Sequence, residues 1–292
     1  MNWRERIINI IKGSPVDFLP FVPRLDLWYK SNKINGTLPR KYTNCTLKEI
    51  SSDLGVGFHS VVPDFRNFLN KRSVSLLGLG IYDLKSNPYR IDSNSIDYSF
   101  KTNSEGLTTT IFNTPYGKVT TKVLYSKKME SDGTSLGHTV EHAIKSQIDF
   151  KPIGYIFENI KVEENYSNFL DFRDYIGDNG VCVAFCMLSG SPMHHIMKEL
   201  MSFEGFVYEL NDSQREIEEL SEKINTFFTK VISISFKSKS DITFIGANYD
   251  SFLTWPSFFK KYITPYLRKY SIQVHKSGKY LPLPIPMVKM KG

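Results

Sequence analysis

Hydrophobic spacing gives the first elements of the chain. "WRERIINIIKG" (Trp3 to Gly13) sets Ile7, Ile8, Ile10 and Ile11 on one helical face and stops at a glycine, which predicts a short opening helix. "FLPFVPRLDLWY" (Phe18 to Tyr29) reads as an apolar strand punctuated by prolines, with Arg24 and Asp26 at its end. Leu47, Ile50 and Leu54 recur three and four apart and predict a helix over 46–54. "GFHSVVPDF" reads as a second short buried strand, ending at Asp64.

The pattern changes at 89–128. "NSIDYSFKT", "GLTTTIFNT" and "GKVTTKVLYS" alternate in part, are rich in Thr, Tyr, Phe and Val, and are separated by the turn clusters "NSEG" and "TPYG". They predict a three-stranded antiparallel meander inserted into an otherwise α/β chain. From Lys145 the α/β rhythm resumes, with helices over 146–158 and near 167–176 and the strand "GVCVAFCML" at 180–188. "HHIMKELM" is helical. Ser213 and Glu216 form a capping box opening a helix whose apolar face is Ile217, Leu220, Ile224, Phe227 and Val231. The strand "ITFIGANYD", a helix over 256–269 and the strand "SIQVH", ending at His275, complete the series.

Short buried strands alternating with helices imply parallel βα units. Polar residues fall at the C-terminal ends of most of these strands: Arg24, Asp64, His194 and His195, Asn248 to Asp250, and His275. In a βα barrel that end carries the active site. The 292 residues suit one domain, since such a barrel takes roughly 250.

Composition narrows the function classes. No run approaches the ~18 apolar residues of a membrane span, and the N-terminus lacks a signal-peptide layout. Three cysteines, Cys45, Cys182 and Cys186, make no disulfide framework and fit a reducing cytoplasm. The net charge of +7 suits an anionic ligand or partner or a solvated surface, and the scatter of the lysines, not gathered in a stripe, favours the surface. No basic cluster is interleaved with aromatics, which argues against nucleic acid.

Four stretches resemble the uroporphyrinogen decarboxylase superfamily of barrels: "RERIINIIKGSPVDFLPFVPRLDLWY", "GSPMHHIMKELM", "GANYDSFLTWPSFFKKYITPYLRKY" and "HKSGKY". They lie in the family's order and together reach to about Tyr280. The resemblance implies a TIM-type (β/α) barrel with an inserted β-meander, the insertion being like that of the corrinoid-dependent methyltransferase and demethylase-type members. It implies methyl transfer between a corrinoid protein and a small donor or acceptor, such as a thiol or a reduced folate. The corrinoid would be presented by a partner, with no cofactor tightly bound to this chain. The alternatives are uroporphyrinogen decarboxylation in porphyrin biosynthesis and a non-catalytic, tetrapyrrole-binding remnant. The decarboxylase pattern has two arginines four residues apart to grip carboxylates. Arg24 matches the first and Trp28 stands in place of the second, which weakens decarboxylation.

After "HKSGKY" the family continues with further βα units, whereas this sequence runs "LPLPIPMVKMKG". Prolines at alternate positions cannot form an interior strand. The expectation is therefore an irregular tail over 281–292 and a barrel cut short, lacking its last βα units.

On this reading Asp250 and Asn248 bind or protonate the leaving group, and Arg24 holds an anionic end. Asp64, Trp28, Tyr249, His194, His195 and His275 line the substrate site. For Asn248 and Asp250 the competing reading is a turn cap after Gly246; for Asp64 it is a local N-cap; for one of the two adjacent histidines it is a structural, hydrogen-bonded role. "HTVEH" (His138 to His142) matches the H-x-x-E-H pattern of zinc proteases, but the flanking loop and the Thr-Val pair disfavour the helix it needs. Cys182 and Cys186 read as small buried hydrophobes. No metal site is expected.

Overall fold

Where polar and apolar residues alternate most regularly, the chain pairs antiparallel. The computed structural model describes residues 1–92, 94–246 and 249–281. Eight strands occur among them: β1 (Tyr89–Asp92), β2 (Asp97–Thr102), β3 (Leu107–Thr114), β4 (Gly117–Leu124), β5 (His138–Glu141), β6 (Lys161–Glu164), β7 (Val183–Met187) and β8 (Ile242–Ile245). The expected meander is β2–β3–β4, and β5 adds a fourth strand along its edge. Both turns follow from their residues. Asn103 Oδ1 accepts from the amides of Glu105 and Leu107, and Gly106 sits at φ 86°. A Cβ at Gly106 would fall 2.1 Å from the Tyr125 carbonyl oxygen, so only glycine fits there. Thr114 Oγ1 closes the next turn by donating to the Gly117 carbonyl at 2.7 Å. One face of the sheet buries Tyr98, Phe112 and Val119, with the Tyr98 and Phe112 rings stacked 5.5 Å apart. The "HTVEH" segment is the strand β5, which does not supply the helical turn a zinc-protease motif requires.

β1 leaves the meander to pair with β6 in a separate two-stranded antiparallel sheet. β7 and β8 form a parallel pair buried at every position, with register Val183↔Ile242, and Tyr280 adds one parallel bridge at Ile242. The opening helix Trp3–Ile11 is tied to this pair. Arg4 grips Asp241 through Nε at 3.0 Å and through a terminal nitrogen at 2.5 Å, and Asp241 in turn accepts from the Cys182 amide. Helix Gln214–Lys237 packs along the pair and buries Ile217, Leu220, Ile224, Phe227 and Val231, as its spacing predicts. Its far end is capped by Lys279, whose Nζ donates to the Ser235, Phe236 and Ser238 carbonyls. A cation belongs there, where carbonyls lack partners and the helix dipole is negative.

The architecture is mixed α/β, and among the described residues no sheet closes into a barrel: the strands fall into three separate sheets. Three expected strands are absent. Over 18–25, Pro20 and Pro23 remove ladder donors, Phe18, Leu19 and Phe21 lie at the surface, and Asp26 instead opens helix Asp26–Asn35. What remains of the pairing is a single bond from the Gly57 amide to the Phe21 carbonyl, 2.9 Å. "GFHSVVPDF" runs beside the start of β7, with Phe58 N bonded to the Asn179 carbonyl at 2.7 Å, but makes no ladder. "SIQVH" is the end of helix Thr264–Lys276, because Leu267, Tyr270 and Val274, three and four apart, form a buried helical face that overrides β propensity. The Ser213 box is not made either: Ser213 sits at φ −132°, ψ 39°, and its side chain forms no cap bond. The helices expected near 146–158 and 167–176 are present as Phe150–Asn159 and Tyr166–Ile176. The helix of "HHIMKELM" is Pro192–His195, continued by a π-helical turn. The tail beyond Leu281 lies outside the described residues. No helix among them is long and apolar enough to cross a membrane.

Candidate functional site

The segments that fail to become strands build the wall of a cleft. Helix Asp26–Asn35 supplies Asp26, Tyr29 and Lys30, and the extended run after Gly57 supplies Phe58, His59 and Asp64. Tyr166–Ile176 closes the far side with Asp171, Phe172 and Tyr175, and Lys85 stands at the rim. The cleft, open to solvent, has a volume of about 840 Å³. Aromatic faces and a few charged groups thus share one concavity, the usual make-up of a small-molecule site.

Two ion pairs border the cleft. Lys30 Nζ lies 2.5 Å from Asp64 Oδ1, and the same oxygen accepts from the Arg66 amide at 3.1 Å. Asp64 therefore serves at once as a local cap and as a carboxylate in the site. Arg24 Nε donates to Asp26 Oδ1 at 2.9 Å. His59 stands apart: its half-buried imidazole forms no hydrogen bond to another described residue. Burial holds its pKa below the ordinary value; Asp26 pulls it up and Arg24 pushes it down. At neutral pH the ring is uncharged, and it offers one acceptor and one donor nitrogen to the cleft.

A second cavity of about 440 Å³ adjoins the first across Val62 and Pro63, which line both. Arg24 stands in it beside Phe185, Leu188 and Phe244, at the carboxyl ends of β7 and β8. Ligands of open α/β sheets bind outside those ends. Of the residues singled out in the sequence, Arg24 and Asp64 are thus brought to neighbouring walls.

The others lie elsewhere. Trp28 belongs to the cleft helix but lines neither cavity, and its ring is part-exposed. His194 and His195 are buried at 1% exposure. His194 Nδ1 accepts from the Gly190 amide at 3.1 Å, and burial pushes its pKa down to about 3. His195 Nε2 donates to the Leu79 carbonyl at 2.8 Å, and its ring packs on Phe157 and Phe228. Tyr249 is buried against Gly190 and Gly246, where a Cβ would fall 2.3 and 1.9 Å from its hydroxyl. Asp250 is exposed and caps a turn, accepting from the Phe252 and Leu253 amides. His275, expected at a strand end, is exposed in the last turn of a helix, because that segment is helical throughout. Asn248 lies outside the described residues.

The residues that sequence reasoning passed over are His59, Lys30, Tyr29 and Tyr175. Only His59 left a signal, as the one titratable side chain in "GFHSVVP". Lys30 and Tyr29 were hidden because their segment read as strand, which scrambles the facing of every side chain. Compared with known protein families, curated proteins and solved structures, the chain finds no match.

Proposed function

We propose that the protein binds a small molecule in the cleft and transfers a methyl group to it from a corrinoid carried by a partner protein, within a barrel-like α/β fold of the uroporphyrinogen decarboxylase type. The observation that carries the reading is the uncharged, unpartnered His59 imidazole beside the Lys30–Asp64 pair. The parallel pair β7–β8 and the antiparallel meander support the finer fold assignment. At about 840 Å³ the cleft is of a size for one small acceptor, which leaves the corrinoid on its carrier.

When bound, the corrinoid supplies the methyl group. This chain's residues do the rest. His59 takes the proton of a thiol acceptor as its sulfur becomes nucleophilic, and Asp26 steadies the imidazolium that results. Phe58, Phe172 and Tyr175 exclude water around the sulfur, and Lys85 faces an anionic end of the acceptor. Decarboxylation of a porphyrinogen is the weaker reading: Arg24 is already paired with Asp26 and Lys30 with Asp64, so a polycarboxylate would have to break both pairs. Free cysteines fit a reducing, cytoplasmic setting.

The test mixes the protein anaerobically with methylcobalamin and a small thiol and follows the corrinoid's visible spectrum. Demethylation above the buffer control is expected, with a loss of roughly 10²–10⁴-fold in His59→Ala, the usual share of a general base. No rate above control would overturn methyl transfer. Turnover of uroporphyrinogen instead would assign decarboxylation, and tetrapyrrole binding without turnover would leave a binding role.

A further inference from the structure

A third, smaller cavity of about 180 Å³ lies beyond the Arg24 cavity, sharing Leu136 and Leu188 with it. Its walls mix apolar side chains (Leu77, Val123, Leu136 and Leu188) with polar ones, Thr139 and the group of Tyr82, Lys198 and Glu199. Lys198 Nζ donates to the Leu188 carbonyl at 3.3 Å and lies 3.5 Å from Glu199 Oε1. Glu199 Oε2 accepts from the Tyr82 hydroxyl at 3.2 Å. Glu199 Oε1 is buried and has no hydrogen-bond partner among the described residues. Its ion partner is the Lys198 ammonium, 3.5 Å away, so this oxygen is placed to take that group's proton.

We propose that Lys198 condenses with a small, neutral aldehyde held in this cavity, forming an imine. The volume admits about six waters' worth of ligand, so a chain of three or four carbons fits. The aldehyde is neutral because Glu199 would repel a carboxylate beside it. In the step, the Lys198 nitrogen lone pair forms a C–N bond to the carbonyl carbon, and the C=O pair moves to oxygen. A proton passes from nitrogen to that oxygen by way of Glu199. Glu199 then takes the second nitrogen proton and donates it to the new hydroxyl, which leaves as water as the nitrogen lone pair forms the C=N bond. Amine and aldehyde thus give imine and water, with no oxidant or reductant.

The amine is suited to this because burial lowers its pKa, although Glu199 opposes the shift. The other titratable groups facing the pair are His194 and His195 from the preceding turn, Tyr82, and His142, whose Nδ1 lies 3.3 Å from the Glu199 carbonyl. Both buried histidines are held uncharged by burial and compete little for the proton.

The experiment treats the full chain at pH 7 with limiting propanal and cyanoborohydride, then maps propylated lysines by peptide mass. Lys198 is expected to label several-fold faster than Lys128, an exposed internal reference at 84% side-chain exposure. Lys198→Arg should lose that site alone, and Glu199→Gln should slow it without changing Lys128. Labelling of Lys198 no faster than Lys128 in the wild-type protein would overturn the proposal whether or not either variant folds. The cleft residues His59 and Lys30 take no part, so this result is independent of the methyl-transfer assay.

Discussion

The meander and the cleft wall are made of the same kinds of residue but held in different ways. In β2–β5, backbone ladders fix the register, and side chains alternate between a buried and a solvated face. In the cleft wall, from Pro15 to Ser86, short helices and extended runs are pinned to one another by isolated bonds and ion pairs: Gly57 to Phe21, Phe58 to Asn179, Lys30 to Asp64. The first plan tolerates no change in facing. The second leaves polar side chains unmatched, and the His59 imidazole is one of them. Polar groups free to meet a ligand collect where regular pairing is relinquished.

The largest expected effect contrasts the two plans directly. Phe112 is fully buried in the meander and stacked on Tyr98. Phe112→Ala should cost about 3–5 kcal/mol by urea unfolding, from lost burial and the cavity left behind. Leu19, 79% exposed in the cleft-side run, should change stability by less than about 0.5 kcal/mol when replaced by alanine. Equal costs for the two would erase the distinction.

That contrast also explains what the sequence made legible. Alternation in "GLTTTIFNT" and "GKVTTKVLYS", with "NSEG" and "TPYG" between them, specifies a meander locally, since hairpin register is set by the turn and the pleat. The helix Gln214–Lys237 was legible for the same reason: its apolar period is long and unbroken. β5 was missed because "HTVE" gives only four residues of pattern and takes its partner through a bulge at Lys122 and Val123. "FLPFVPRLDLWY" misled because hydrophobicity alone cannot separate a buried strand from an exposed, proline-broken run leading into a helix. The helix that forms there puts Arg24 before a helix and not at a strand end, and brings Tyr29 and Lys30 to the cleft. Asp250 and His275 fall under the same rule, but Asp250 caps its own turn and His275 ends a helix whose buried face is Leu267, Tyr270 and Val274.

Acid sharpens the comparison with a smaller effect. Glu141 in β5 is held by Lys122, Thr120 and Lys145, and its pKa is lowered to about 2. The unfolded chain therefore binds the proton first, so Glu141's contribution is full above the ordinary carboxylate range and is lost as pH falls towards 2. Asp83, which ties Ser73 to Ile91 behind the cleft, is the reverse. Burial raises its pKa despite the Ser73 hydroxyl. Here the folded state binds the proton first, and stability falls as pH rises through the raised value. Urea melts between pH 3 and 7 should show the gap between wild type and Glu141→Gln closing towards acid, by under about 1 kcal/mol after solvent screening. Asp83→Asn should gain on wild type towards neutral pH. Parallel pH profiles for the two variants would break the comparison.

The smallest effect is read at His59 alone. Its pKa is depressed chiefly by burial, with Asp26 raising it and Arg24 lowering it. Arg24 and Asp26 are paired at 2.9 Å, so each also screens the other. Removing the guanidinium in Arg24→Ala deletes a like charge and exposes the Asp26 carboxylate, and both changes raise the imidazole pKa. Asp26→Asn deletes the counter-charge and frees Arg24, and both changes lower it further. The two variants should therefore move the His59 ring-proton titration in opposite directions when followed by NMR. The same pair of variants should leave the denaturation midpoint nearly unchanged, since a half-exposed ion pair contributes little to folding. Shifts of one sign in both variants would mean that burial alone governs the ring, and that the cleft's charges are too well solvated to tune a proton.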